Sequence, residues 1–109
     1  MVEVNMPRLT DQAPLRIIKI TEVLFQAVLD GMSNKELATA TGYSPSNISR
    51  DMKLLCEAGW AKQLGNGRWA VSEKPVALMK MYQLYMSDLA ERGRNFELRV
   101  TAQARQLMP

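Results

Sequence analysis

The sequence predicts a mainly α-helical protein with one small β-hairpin. Three observations carry that expectation. Between positions 15 and 58, apolar residues recur at helical spacing in three stretches, each closed by a glycine. Asn66-Gly67 then lies between two short strand-like segments, the strongest short-range hairpin signal. From Pro75 onward helical spacing returns.

Taken in order, residues 1–14 mix polar side chains with Pro7 and Pro14 and read as a flexible arm. From Leu15 to Asp30 the apolar positions Ile17, Ile18, Ile20, Leu24, Phe25, Val28 and Leu29 form a helical stripe, and Gly31 suits its end. Ser33-Asn34-Lys35-Glu36 fits a capping box, in which the serine hydroxyl and the glutamate carboxylate each satisfy a free backbone N–H. That opens a second helix, ending at Gly42, with Leu37, Ala38 and Thr41 inward. Ser44-Pro45 opens a third, because serine caps well and proline at the first position loses no hydrogen bond. It runs over about 45–58, to Gly59. The hairpin occupies about 60–71. An isolated hairpin is marginal, so Trp60 and Trp69, one on each arm, are expected to close it against the helices. A C-terminal helix is expected from Pro75 to about Arg92, broken at Gly93, with a shorter helix from about Asn95 to Leu107. The organisation is thus an arm (1–14), a central domain (15–72) and a helical C-terminal segment (73–109).

Composition narrows the function. At 109 residues the chain is one domain's length. Its formal charge is +3, and the positive excess begins near position 43: residues 1–42 carry four Lys/Arg against five Asp/Glu, and residues 43–69 carry four against two. A modest basic balance favours an anionic partner. The single Cys56 allows no internal disulfide and fits a reducing compartment. It reads as a small buried hydrophobe rather than a redox sensor. Histidine is absent, which removes the usual Cys/His zinc sites and the Ser-His-Asp and Cys-His arrangements. No phosphate-binding glycine loop occurs. No enzyme activity and no cofactor is expected. The longest apolar run is too short to span a bilayer and no signal-peptide pattern begins the chain, so a cytoplasmic protein without a membrane partner is expected.

The second helix, Gly42 and the third helix have helix-turn-helix spacing. Ala38 lies four residues before Gly42, where a small side chain lets the helices cross closely, and Ile48 lies six residues after it. With Ile48, Met52 and Leu55 inward, the third helix shows Ser46, Asn47, Ser49, Arg50 and Lys53 on its outer side. Arginine can bond a guanine edge at two points, asparagine an adenine edge, and serine a phosphate or a base. Ser44 adds a helix N-terminus, which favours a phosphate. Asp51 brings towards DNA a charge of the same sign as its phosphates, paired either with Arg50 or with a neighbouring helix.

The stretch "NKELATATGYSPSNISRDMKLLCEAGWAKQLGNGRWAV" resembles the N-terminal winged helix-turn-helix of IclR-type transcriptional regulators. The likeness runs from Leu15 to Val71, about half the chain. It implies that Ser46, Asn47, Ser49 and Arg50 face the major groove. It also implies that Asn66, Gly67 and Arg68, in the wing, lie on the backbone or minor groove. The chain departs from that pattern at Asp51, where the family usually has an apolar residue. It also lacks the effector-binding domain, so the resemblance carries DNA binding and not ligand sensing.

The expectation is therefore a winged helix-turn-helix that binds double-stranded DNA sequence-specifically in transcriptional regulation. Arg50 and Asn47 would discriminate bases, while Lys53, Arg68 and Lys62 would meet phosphate. The C-terminal helix is apolar on more than one face, with Met79, Tyr82 and Met86 on one side and Leu78, Tyr85 and Leu89 on another. It is expected to pair two copies, placing two recognition helices about 34 Å apart on successive major grooves. Two alternatives remain: a protein–protein adaptor working through the Met-rich C-terminal helix, and an accessory DNA binder in replication, packaging or partition.

Overall fold

A computed structural model describes residues 12–109. Residues 1–11, most of the expected arm, lie outside the described residues. Among the described residues the chain forms four α-helices and one two-stranded antiparallel hairpin: α1 (Ala13–Leu24), α2 (Asn34–Thr41), α3 (Pro45–Glu57), β1 (Ala61–Gln63), β2 (Trp69–Val71) and α4 (Glu73–Leu107). Residues up to Pro75 make one compact unit and Val76–Pro109 a second.

α1 begins earlier than the sequence suggested, with Pro14 in its first turn. It also ends earlier. After Leu24 the chain tightens into a 3-10 turn over Phe25–Ala27, so the expected α-helix to Asp30 does not form. A 3-10 turn takes three residues rather than 3.6, which rotates later positions out of the stripe. Leu29, expected on the buried stripe, is accordingly 87% exposed.

The capping box predicted at Ser33 is present. The Ser33 hydroxyl accepts from the Glu36 N–H at 3.1 Å. Gly42 closes α2 in the left-handed conformation, φ 78°, its N–H donating to the Ala38 carbonyl at 2.9 Å. A side chain is strained at that φ, and glycine is not. Ser44 then caps α3, accepting from the Asn47 N–H at 3.2 Å, with Pro45 in the first turn.

The hairpin pairs Ala61 with Val71, Lys62 with Ala70 and Gln63 with Trp69. Its turn is wider than a two-residue Asn-Gly loop. Leu64 N–H donates to the Arg68 carbonyl at 2.7 Å and Gly67 N–H to the Leu64 carbonyl at 2.9 Å, and of the turn residues only Gly67 has positive φ. Met32 adds a one-residue bridge to Trp69, exchanging N–H···O bonds of 2.7 and 2.8 Å. Gly31 makes that approach possible, because a Cβ there would sit 2.5 Å from the Trp69 carbonyl oxygen.

The core joins Ile20, Val23 and Leu24 of α1, Leu37 of α2, Ile48, Met52 and Leu55 of α3, and Ala61, Trp69 and Val71 of the hairpin. Each large apolar side chain buried there contributes about 1.5–3 kcal/mol. Trp69 also donates from its indole N–H to Asn34 Oδ1 at 2.5 Å, tying β2 to the start of α2. Trp60 is only half-buried.

The second unit consists of α4 beyond Pro75 and the last two residues. The expected break at Gly93 is absent: α4 runs unbroken through it. A mid-helix glycine costs about 1 kcal/mol relative to alanine, which good helix formers on either side outweigh. No helix among the described residues is long and apolar enough to cross a membrane.

Candidate nucleic-acid interface

The outer side of α3 carries the predicted set. Ser46, Arg50 and Lys53 are exposed, and Asn47 and Ser49 are half-buried. Ser46, Ser49, Arg50 and Lys53 line one shallow concavity of 440 Å³ together with Leu54 and Glu57. Among the described residues neither Arg50 nor Lys53 has an ion-pair partner, so both cationic heads are available to an anion. Ser44 is exposed, but its hydroxyl oxygen is the helix cap and lies 3.2 Å from that of Ser46.

The inner side explains why this face is clear. Asp51 is 1% exposed and receives a two-point contact from the Arg16 guanidinium, Nε to Oδ2 and Nη2 to Oδ1, the latter at 3.0 Å. Of the two partners left open, the neighbouring helix holds it, not Arg50. The carboxylate is thereby turned away from the outer face. A buried charge needs such a partner, and the arginine fork suits a carboxylate geometrically. One signal in the sequence pointed to this. Asp51 lies three residues after Ile48 and four before Leu55, on the inward side of the helix.

The hairpin residues divide differently. Asn66 and Gly67 are exposed at the tip. Asn66 Oδ1 accepts the Arg68 backbone N–H at 3.1 Å, and the Gly67 carbonyl accepts from the Gln63 amide at 3.2 Å. These bonds hold the tip in shape. Arg68 is engaged inside the unit. Its guanidinium donates to the carbonyls of Asp30 at 3.2 Å and Gly31 at 3.0 Å and pairs with Glu36 at 2.7 Å. The Glu36 carboxyl is held below the usual carboxylate range, first by that arginine and then by Ser33. Lys62 pairs with Glu73 at 2.7 Å, and its hydrogen bond holds the Glu73 carboxyl low as well. The structure thus brings Ser46, Ser49, Arg50 and Lys53 together, and gives Lys62 and Arg68 partners of their own.

Sequence reasoning missed Leu54 and Glu57, which share the concavity. Glu57 places one carboxylate at its C-terminal end, which confines the basic character to the part of α3 that ends at Lys53. Cys56 is half-buried, and burial pushes its thiol pKa up, away from the reactive thiolate. No protein-family model, curated protein or solved structure matches the chain.

Proposed function

We propose that this protein is a winged helix-turn-helix binder of double-stranded DNA acting in transcriptional regulation in the cytoplasm. α3 enters the major groove and the hairpin tip lies on the flank. One observation carries the reading: among the described residues Arg50 and Lys53 project without an ion-pair partner beside Ser46 and Ser49, with Glu57 the one carboxylate in that concavity, while Asp51 is buried against Arg16. Arg50 and Asn47 read base edges, and Lys53 neutralises phosphate. Asn66 and Gly67 approach the backbone. Arg68 braces the tip through Glu36, and Lys62 exchanges Glu73 for phosphate only at some cost. The C-terminal helix pairs two copies.

The test is binding to sites selected from a random duplex library, read by fluorescence anisotropy across salt concentrations. Arg50→Ala should weaken binding by about 1–3 kcal/mol and relax one base position. Its unfolding free energy should move by no more than about 0.5 kcal/mol, as for other exposed positions. Lys53→Ala should lower affinity evenly across sequences and flatten the salt dependence by about one ion. Unchanged affinity in Arg50→Ala would remove α3 from the interface.

The second reading, a protein–protein adaptor, draws on the exposed apolar side chains of α4, among them Met81 at 62% and Tyr82 at 66%. An adaptor shows no salt-steep binding to any duplex, so the same titration separates the two.

A further inference from the structure

The continuity of α4 through Gly93 exposes a pattern that a break there would conceal. Starting from Met79, apolar residues alternate at spacings of three and four. One row is Met79, Met86, Gly93, Val100 and Leu107. The other is Tyr82, Leu89, Phe96 and the polar Gln103. Seven of these nine positions carry apolar side chains, with Gly93 and Gln103 the exceptions. A seven-residue repeat sustained over four heptads is the pattern of a left-handed coiled coil, whose two rows meet those of a neighbouring helix. Leu84 and Leu98 fall opposite this seam and are not part of it.

We infer that α4 is one strand of a parallel, in-register, two-stranded coiled coil with a second copy of this chain. The inference takes the pairing proposed above and fixes its orientation and register; it does not rest on the DNA contacts. Three observations support it.

The first is exposure. From Val76 to Pro109 no side chain is buried, and the seam residues Met79, Tyr82, Phe96 and Leu107 stand 50–79% exposed. Long helices in water owe most of their stability to packing an apolar face, not to propensity. A stable interface removes about 800 Å² from each partner. A seam of this length with two aromatics, at ~150–250 Å² apiece, is of that order.

The second is shape. At Gly93 the helix carries a concavity of 450 Å³ lined by Leu89, Arg92, Gly93, Asn95, Phe96 and Arg99. A Cβ at Gly93 would meet nothing within 4 Å, so the helix surface is open at this position of the seam. In a parallel pair the two glycines face each other, and the Phe96 rings one layer on have room to turn into the gap.

The third is charge, which decides orientation. In a parallel in-register pair the residue before one row faces the partner residue five positions later, so Arg92 of each copy faces Glu97 of the other. In an antiparallel pair centred on Gly93, Arg92 meets arginines instead. Within one copy Arg92 has only a loose contact with Asp88, 3.9 Å away, and Arg99 lies 5.9 Å over the Phe96 ring. Two strands also leave these flanking charges in water.

The test uses the full chain without DNA. Sedimentation equilibrium should give twice the 12.3 kDa chain mass at micromolar concentration. In a Cys56→Ser background, Val100→Cys should form an interchain disulfide on mild oxidation, because a parallel pair sets the two positions side by side. An antiparallel pair would hold them about 20 Å apart. Arg92→Glu should weaken pairing about tenfold, and adding Glu97→Arg should restore it. A monomer, a trimer or larger assembly, no disulfide, or tighter pairing in Arg92→Glu would each overturn the inference. A monomer that still binds duplex through Arg50 would remove the seam and leave the DNA reading. A pair that binds no duplex would do the reverse.

Discussion

In the first unit a buried aspartate meets an arginine fork, an indole N–H finds an amide oxygen, and a second arginine braces the hairpin against α2. Along α4 beyond Pro75 the polar contacts shrink to a 3.9 Å ion pair and one arginine above a ring, and the apolar side chains stay in solvent. The same chain therefore contains a region whose groups are satisfied within one copy and a region whose groups are not. The first should answer to point changes at a few specific pairs. The second should answer to concentration. Both tryptophans lie in the first unit, so indole fluorescence follows its unfolding, whereas far-ultraviolet circular dichroism weights all the helices.

The largest effect expected is at Asp51. Asp51→Ala removes the carboxylate that the buried Arg16 guanidinium grips at two points, and breaking a buried pair by deleting one partner costs about 3–5 kcal/mol in comparable cases. Denaturant unfolding followed by tryptophan fluorescence should show that loss. Replacing both partners with apolar residues, Arg16→Met with Asp51→Leu, should recover most of it, because a matched apolar pair carries no desolvation penalty. A single mutant as stable as the parent would show that the pair contributes nothing to this region.

Two glycines sharpen the contrast. Gly31 has φ +71°, and a Cβ on it would press within 2.5 Å of the Trp69 carbonyl. Gly31→Ala should cost about 2–3 kcal/mol, combining left-handed strain with a backbone clash. Gly93 has ordinary helical geometry with open space around it. Gly93→Ala should instead add up to about 1 kcal/mol of helix stability, seen as greater ellipticity at 222 nm and a later thermal transition. If the two substitutions moved stability in the same direction, the distinction between a packed region and an open helix would fail.

The sequence announced these regions unequally. Serine caps, Pro45 and the left-handed stop at Gly42 act through local backbone chemistry, and each was readable at its own position. The outward set on α3 followed from the inward spacing of Ile48, Met52 and Leu55. The Arg16–Asp51 pair joins residues 35 positions apart, and no local rule says which of several cations turns inward. Arg68 was read from its place beside the hairpin tip, but its partners Glu36, Gly31 and Asp30 come from across the fold. Gly93 misled for another reason. A glycine is only a modest helix penalty, and continuity is decided by the residues on either side.

The smallest expected effect concerns acid. The Glu36 and Glu73 carboxyls both lie below their ordinary value of 4.5 in the folded protein, the first chiefly through Arg68 and the second through Lys62. A carboxyl lowered on folding stabilises only while ionised. Its contribution is complete above 4.5 and disappears as the pH falls through the lower folded value. Both groups are solvent-exposed and salt screens them, so the effect is slight and shrinks at high ionic strength. Both also belong to the first unit, so tryptophan fluorescence should register the loss. Glu36→Gln should flatten the stability profile as the pH falls below 4.5, the side set by that direction of shift. It should do so without altering stability's dependence on protein concentration, which the inferred seam along α4 would govern. An unchanged acid profile in Glu36→Gln would mean that the ion pair between Arg68 and α2 carries no net energy, leaving the hairpin to its core side chains, its backbone and the bonds of Arg68 to the Asp30 and Gly31 carbonyls.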